Sequence, residues 1–367
     1  MKICFLIGDM ARSGGTERVL SMISAGLEKK GHEILILNMY GQRASRTFYP
    51  YSPGIQRGWL SEAYPETLPE HFAKIKKLRR FLKEQPQDVL VEVDLILALY
   101  TVPARTGLKL PVISWEHFNY YYQFRKNNRI RRLAMRFAAV FSEKIVVLTK
   151  EDQSYYRSQL HLGEKVVQIY NPNSYPEAGN GIPYADREPV VLAAGRLTKA
   201  KGFDYLLRAW YRIEPQAPGW RLVIAGEGEE RDQLEAMIAS MNLHQVILAG
   251  QTETLTDYYE HASLFVLSSR FEGFGMVLTE AMSFGLPVVS FDCKAGPKEI
   301  VSSGENGYLV TTGDVDELAR CILSLIREPK LRETMGNRAR ESAKRFDLEP
   351  ILEQWESLLK EIKGSLR

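Results

Sequence analysis

Short apolar runs alternate along the chain with longer amphipathic stretches. KICFLIG opens the pattern, DMARSGGT interrupts it, and ERVLSMISAGLEKKG follows as an amphipathic helix closed by Gly31. HEILILNM, DVLVEVD (88–94), PVISWEH (111–117) and KIVVLT (144–149) are β-branched-rich runs, separated by helical segments such as 125–141. Repeated strand-then-helix alternation predicts a parallel sheet covered by helices. The pattern stops at VVQIYNPNSYPEAGNGIPYADREP (166–189), where four prolines, two glycines and three asparagines predict a linker. It resumes with PVVLAAG (189–195), RLVIAG (221–226), QVILAG (245–250), SLFVLSS (263–269), PVVSFD (287–292) and GYLVTTG (307–313).

The chain therefore reads as α/β, with two Rossmann-like domains at 1–171 and 189–345 and a hinge at 172–188. Residues 346–367 form a last helix whose stripe, Ile351, Trp355, Leu358 and Leu359, is expected to pack back toward the first domain. Ligands of open α/β sheets bind at the carboxyl ends of strands, so a cleft between two such domains is the natural active site.

Composition narrows the class. With 45% hydrophobic and 25% charged residues, the 367-residue chain has the make-up of a soluble globular protein. No stretch approaches the 18 or so apolar residues of a membrane-crossing helix, and the amino-terminal apolar run fits a first strand better than a secretory segment. Cys4, Cys293 and Cys321 lie in apolar segments without CxxC spacing, which points to a reducing, cytoplasmic setting and away from structural zinc. The net charge of +3 hides an asymmetry: residues 1–170 carry 26 Lys and Arg against 16 Asp and Glu, and residues 171–367 carry 22 against 29.

The cations cluster in KIKKLRRFLK (74–83) and RKNNRIRRLAMR (125–136). In the first run they share a helix with an apolar stripe of Phe72, Ile75, Leu78 and Leu82. A solvated helix face and a surface for anionic lipid headgroups are the two readings. No nucleic-acid motif accompanies the charge, so nucleic acid is not expected as a partner.

Several motifs carry chemistry. In AAGRLTKAKGFDYLLRAW (193–210), Arg196 and Lys201 stand at a strand's carboxyl end, and Gly202 precedes a helix. A guanidinium fork and an ammonium suit the oxygens of a diphosphate, whereas two surface cations are the plainer alternative. In RFEGFGMVLTEAMSFG (270–285), Gly273 and Gly275 mark a helix start, where free backbone N–H groups suit an anion or sugar hydroxyls. Glu272 and Glu280 are eight residues apart, about 12 Å if helical, against roughly 5–9.5 Å for a glycosidase-type carboxylate pair. That spacing suits the two ends of one extended ligand better than an acid–base couple.

Gly14 and Gly15 of ARSGGT permit close approach of a ligand or an ordinary tight turn, and neither this loop nor AGEGEE (225–230) completes GxGxxG. The DVD of TGDVDELA (312–319) resembles a metal-binding DxD, but its place before an amphipathic helix predicts an Asp N-cap. SWEHFNY (114–120) puts Glu116 and His117 at a strand end, where the histidine is either structural or in contact with a reacting sugar. No nucleophile elbow supports a hydrolase.

In that order and spacing, GRLTKAKG, AGEGEE, the E-x7-E stretch, AMSFGLPVV and NGYLV resemble the retaining glycosyltransferases of family 4 over roughly 190–312; SGGTERVL, SWEH and VVLT agree more loosely. The resemblance implies the GT-B fold, two Rossmann-like domains with parallel sheets facing across a cleft. It implies that Arg196 and Lys201 hold the donor diphosphate, and that Glu272 contacts donor-sugar hydroxyls. Phe274, Gly275, Met276 and Val277 would bind the donor alongside it, and Glu280 would take the ribose. His117 would lie near the donor sugar, and Gly14 and Gly15 near the diphosphate and acceptor. It further implies no cofactor and no bound metal, a nucleotide-sugar donor (UDP-linked by likeness to bacterial members), and a glycan or polyprenyl-linked acceptor. The place implied is the cytoplasm, with peripheral attachment to an anionic membrane face through the basic amino-terminal half.

Other classes fit less well. An epimerase or phosphorylase of the same fold lacks this E-x7-E context, and a nicotinamide-dependent oxidoreductase needs GxGxxG. A nucleotide-sugar-binding module without turnover is the remaining alternative.

Overall fold

The computed structural model describes every residue except 43–46, 125–127, 176–181, 253 and 366–367. Arg125, Lys126 and Asn127 of the second basic run, residues 176–181 of the expected hinge, and the last two residues of the terminal helix thus lie outside the described residues. The chain divides into two compact units, Met1–Pro172 with Leu348–Arg367, and Asn173–Asp347.

The first unit runs β1 (Lys2–Ile7), α1 (Gly15–Lys29), β2 (Glu33–Asn38), β3 (Gln56–Trp59), α2 (Leu68–Glu84) and β4 (Val89–Val93). It continues with α3 (Ala98–Arg105), β5 (Val112–Trp115), α4 (Arg129–Phe141), β6 (Lys144–Val147), α5 (Lys150–Leu160) and β7 (Val166–Gln168). All seven strands are parallel, in the order β3-β2-β1-β4-β5-β6-β7. Every residue of β1 after the first is buried, because helices cover both faces; this is why KICFLI lacks the alternation of a half-exposed strand.

The second unit runs β8 (Val190–Ala194), α6 (Phe203–Ile213), β9 (Arg221–Ala225), α7 (Arg231–Ser240), β10 (Val246–Gly250) and α8 (Leu255–His261). Next come β11 (Leu264–Leu267), α9 (Met276–Ser283), β12 (Val288–Phe291), α10 (Pro297–Ile300), β13 (Gly307–Val310), α11 (Val315–Arg327) and α12 (Pro329–Ala343). Its six strands are parallel in the order β10-β9-β8-β11-β12-β13. Each sheet reverses its winding once, between β1 and β4 in one and between β8 and β11 in the other. Loops leave these neighbours in opposite directions, which opens a crevice at the strands' carboxyl ends.

The terminal helix α13 (Leu348–Ser365) belongs to the first unit. Trp355 packs its ring 4.8 Å from that of Trp115, and Leu352 lies so close to Gly26 of α1 that a Cβ there would meet it at 2.4 Å. Residues 182–188 lie against the second unit: Arg187 is buried, donates to Ala262 O at 3.2 Å and Phe284 O at 2.5 Å, and stacks on Tyr184.

Two elements depart from the sequence pattern. β7 lies inside the segment where the alternation is expected to have ended, and the edge strand β3 (QRGW) has no apolar run to announce it. In α2, Leu78 and Leu82 are buried, but Phe72 is 63% exposed. Lys74 turns inward instead, donating to Met39 O at 3.2 Å and Ala63 O at 2.7 Å, and burial pushes its ammonium down to about 8. Among the described residues no helix is long and apolar enough to cross a membrane.

Candidate active site

At the switch point of the second sheet, the loops after β8 and β11 are bound to each other. Gly202 has φ +65°, and a Cβ there would lie 2.1 Å from Ser268 O, so this closest approach requires glycine. Arg270 gives its guanidinium fork to Asp204 at 2.6 and 2.7 Å, donates to Lys199 O at 2.9 Å, and lies 3.9 Å over the Tyr205 ring. Burial pushes the Asp204 carboxyl upward, but the hydrogen bonds and charge of Arg270 outweigh it and hold the group below its ordinary value. The Arg270 backbone donates to Ala200 O at 2.7 Å, and Ser268 Oγ donates to Lys201 O at 3.1 Å.

This frame brings two of the expected residues into contact. Lys201 Nζ lies 2.7 Å from Glu272 Oε1, and Ser269 Oγ donates to the same oxygen at 2.6 Å. The Glu272 side chain is 8% exposed and that of Lys201 24%, so a cation and a carboxylate share one sheltered spot. Arg196, two residues past β8, is exposed and makes no ion pair among the described residues.

Gly275, at φ +95°, caps α9, and Met276 and Val277 open its first turn with N–H groups that have no partner within the helix. The Phe274 side chain is buried against Phe346, ring centroids 5.4 Å apart. Glu280 stands one turn inside α9 and is buried; Ser174 Oγ donates to its Oε1 at 2.8 Å and Tyr259 OH to its Oε2 at 3.0 Å. Glu272 thus meets Lys201 and Ser269, and Glu280 meets Ser174 and Tyr259. Asp314 accepts from Glu317 N at 2.9 Å and caps α11, so the DVD aspartate is an N-cap. Among the described residues no group of three or more His, Cys, Asp or Glu is placed to hold a metal.

The remaining expected residues stand in the first unit. Gly14 caps α1 and Gly15 is its first residue, following β1. His117 lies just past β5, its ring 4.5 Å from that of Trp115, with Nε2 lacking a hydrogen-bond partner among the described residues. Burial pushes its pKa down to about 4, so the imidazole is neutral at pH 7. Its neighbour Glu116 is buried and accepts from Arg131 Nη2 at 2.9 and 3.2 Å, while Arg131 Nη1 donates to Asp94 Oδ2 at 2.9 Å. Glu116 is thereby committed to holding the loop.

Sequence reasoning missed Asp204, Ser269 and Arg270 around Glu272, Ser174 and Tyr259 around Glu280, and Asp94 and Arg131 beside His117. Arg270 directly precedes the E-x7-E stretch, which was a usable signal. Its partner Asp204 is 66 residues away, and nothing in the spacing links them.

Two doubly wound parallel sheets in one chain, each with its own switch point, give the chain the GT-B fold. The chain belongs to the group 1, family 4 glycosyltransferases: the model described as glycosyl transferases group 1 matches residues 179–342, and that of glycosyltransferase family 4 matches residues 13–172. An uncharacterized glycosyltransferase of Haemophilus influenzae is 30% identical over 359 residues, covering 98% of this chain and 99% of that one. A Campylobacter jejuni protein is 29% identical over 370 residues, spanning 100% of both; it is named GalNAc-alpha-(1->4)-GalNAc-alpha-(1->3)-diNAcBac-PP-undecaprenol alpha-1,4-N-acetyl-D-galactosaminyltransferase. Among solved structures, Anabaena HepE in complex with UDP-glucose superposes with a TM-score of 0.80 at 21% identity, covering 98% of this chain and 100% of that one.

Proposed function

We propose that this glycosyltransferase is a retaining, metal-independent enzyme that moves a hexose or N-acetylhexosamine from a UDP-sugar to a glycan or polyprenyl-linked glycan. Its product would belong to cell-surface polysaccharide or glycolipid synthesis. The observation that carries the reading is the contact of Lys201 with Glu272 at the β8–β11 switch point, with Arg196 at the same strand ends. A diphosphate needs the cations and the sugar hydroxyls need an acceptor, and the frame built by Arg270 supplies both side by side. The undecaprenol-linked substrate in the name of the Campylobacter relative supports a lipid-linked acceptor. The UDP-glucose bound to HepE supports the choice of nucleotide.

In this reading Arg196 and Lys201 hold the diphosphate, Glu272 the sugar hydroxyls, and Glu280 the ribose. The backbone N–H groups from Phe274 to Val277 add donors to the sugar and phosphate. The anomeric carbon–oxygen bond to the β-phosphate breaks while the acceptor hydroxyl forms its bond on the same face. The hydroxyl proton passes to a β-phosphate oxygen, so charge stabilisation on the leaving diphosphate is the protein's main task. Neutral His117 and the Gly14–Gly15 turn are assigned to binding of the sugar and acceptor. The enzyme works in the cytoplasm, peripherally attached to the anionic membrane face through its basic helices.

A panel of UDP-, GDP- and ADP-sugars, scored by thermal shift and then by transfer with NMR of the product, tests this. Stabilisation and transfer with a UDP-sugar, and a product that keeps the donor's anomeric configuration, are expected. Inversion, a requirement for added divalent metal, or preference for another nucleotide would refute the corresponding part.

A further inference from the structure

The loop that carries His117 is gripped on both sides of that residue by one side chain, Arg131 of α4. Glu116, before the histidine, is buried and accepts from Arg131 Nη2 at 2.9 and 3.2 Å. Phe118, after it, lies under the same guanidinium, 4.4 Å from its ring centroid, and stacks on Tyr122 with centroids 4.6 Å apart. The Phe118 N–H donates to Glu116 Oε1 at 2.9 Å, which closes a short loop across His117. Further along, Tyr120 N donates to Asp152 Oδ1 at 2.9 Å, so α5 fixes the far end separately.

The arginine is itself held. Its Nη1 donates to Asp94 Oδ2 and its Nη2 to Asp94 Oδ1, both at 2.9 Å, a bidentate pair with the residue that directly follows β4. Asp94 also accepts from Ile96 N at 2.9 Å and has φ +144°, a conformation that persists where surrounding contacts enforce it. Two carboxylates and a ring thus share one buried guanidinium. A lysine has neither the fork nor the plane for this.

A buried ion pair adds little net stability over apolar residues of the same volume, so the geometry the cluster fixes accounts for it better. What it fixes is an imidazole whose Nε2 is buried without a hydrogen-bond partner among the described residues. Such an atom costs free energy until a ligand group pairs with it.

We infer that Arg131, aligned by Asp94, is the positioning residue for His117: it grips the residues on either side and so sets where the imidazole meets the donor sugar. This rests on the proposed role of His117 at the sugar and adds the groups that hold it there.

A double-mutant cycle on the full chain tests it, with kcat and KM measured for transfer from the nucleotide sugar of the panel that the wild type turns over fastest. Single-turnover assays with enzyme in excess keep the slowest variants measurable. His117→Ala and Arg131→Lys should each lower kcat/KM about ten-fold or more, chiefly through kcat. The double variant should be within about two-fold of His117→Ala. Asp94→Asn keeps the backbone conformation open to it and loosens only the arginine, so it serves if Arg131→Lys does not fold. It should slow the wild type and add nothing to His117→Ala. UDP affinity, by calorimetry, should stay within about two-fold of wild type throughout, since the nucleotide is assigned to the second unit.

Losses that multiply in the double variants would make Arg131 a residue that only holds the fold, and would overturn the inference. Wild-type kinetics of both Arg131→Lys and Asp94→Asn, beside a slow His117→Ala, would overturn it too. Wild-type kinetics of His117→Ala would instead remove His117 from the sugar, and the inference would fall with that reading.

Discussion

Glu92 sits fully buried near the carboxyl end of β4, where it accepts hydrogen bonds from Ser114 Oγ at 2.5 Å and from Thr101. Burial pushes its carboxyl up to about 7, and the two hydroxyl donors only partly offset that. Below the unfolded value both states are protonated. As pH rises from there towards 7, the unfolded chain ionises while the buried group keeps its proton, so stability falls over that window. Glu92→Gln cannot titrate. From pH 4.5 to 7 its stability relative to wild type should therefore improve by about 3 kcal/mol, read from denaturant unfolding of the first unit. Parallel pH curves for the two proteins would refute the burial argument. At this scale the sequence discloses side chains by their chemistry, and Lys201 and Glu272, which the structure brings into contact, were both among the residues it singled out. It does not disclose partners. Lys74 looks like one more surface cation and is buried, whereas Phe72 looks like core and is exposed, because two backbone carbonyls at residues 39 and 63 take the lysine inward.

Among the elements, the central strands were legible because helices on both faces force continuous apolar runs. β3 and β7 were not, since a strand of three or four residues at a sheet edge needs little apolar sequence of its own. The loops after β8 and β11 show a different limit. Gly202 could be seen to precede a helix, but only the fold shows that Ser268 O occupies the space of a side chain there. Gly202→Ala must adopt a left-handed backbone and push β8's loop away from β11's. It should cost about 2 kcal/mol or more and lower the melting temperature of the second unit by several degrees. Because Lys201 adjoins this glycine, donor affinity should fall with it. An unchanged melting temperature, by calorimetry, would mean the two loops are not held together as described.

Over the whole molecule, one architecture occurs twice with different charge. Both sheets reverse winding at an inner strand pair, and both place loop residues at the carboxyl ends there: Gly14 and Gly15 after β1, Arg196 and Lys201 after β8. The first 170 residues are basic and the rest acidic, a division visible from composition alone. What composition hid is that one of the cations of α4, Arg131, is buried between Asp94 and Glu116. The terminal helix shows how far chain order and spatial grouping diverge, since α13 follows the second unit in sequence and packs its Trp355 on Trp115 of the first.

We propose that the cations after β8 stabilise the diphosphate as the sugar leaves. It is tested most directly by the turnover of Lys201→Ala and Arg196→Ala with a saturating UDP-sugar that the wild type uses, each checked for folding by its melting temperature. Loss of one preorganised charge contact to the leaving group should lower kcat by about 100-fold or more, with melting temperatures close to wild type. Turnover within a few-fold of wild type in either folded variant would contradict the account.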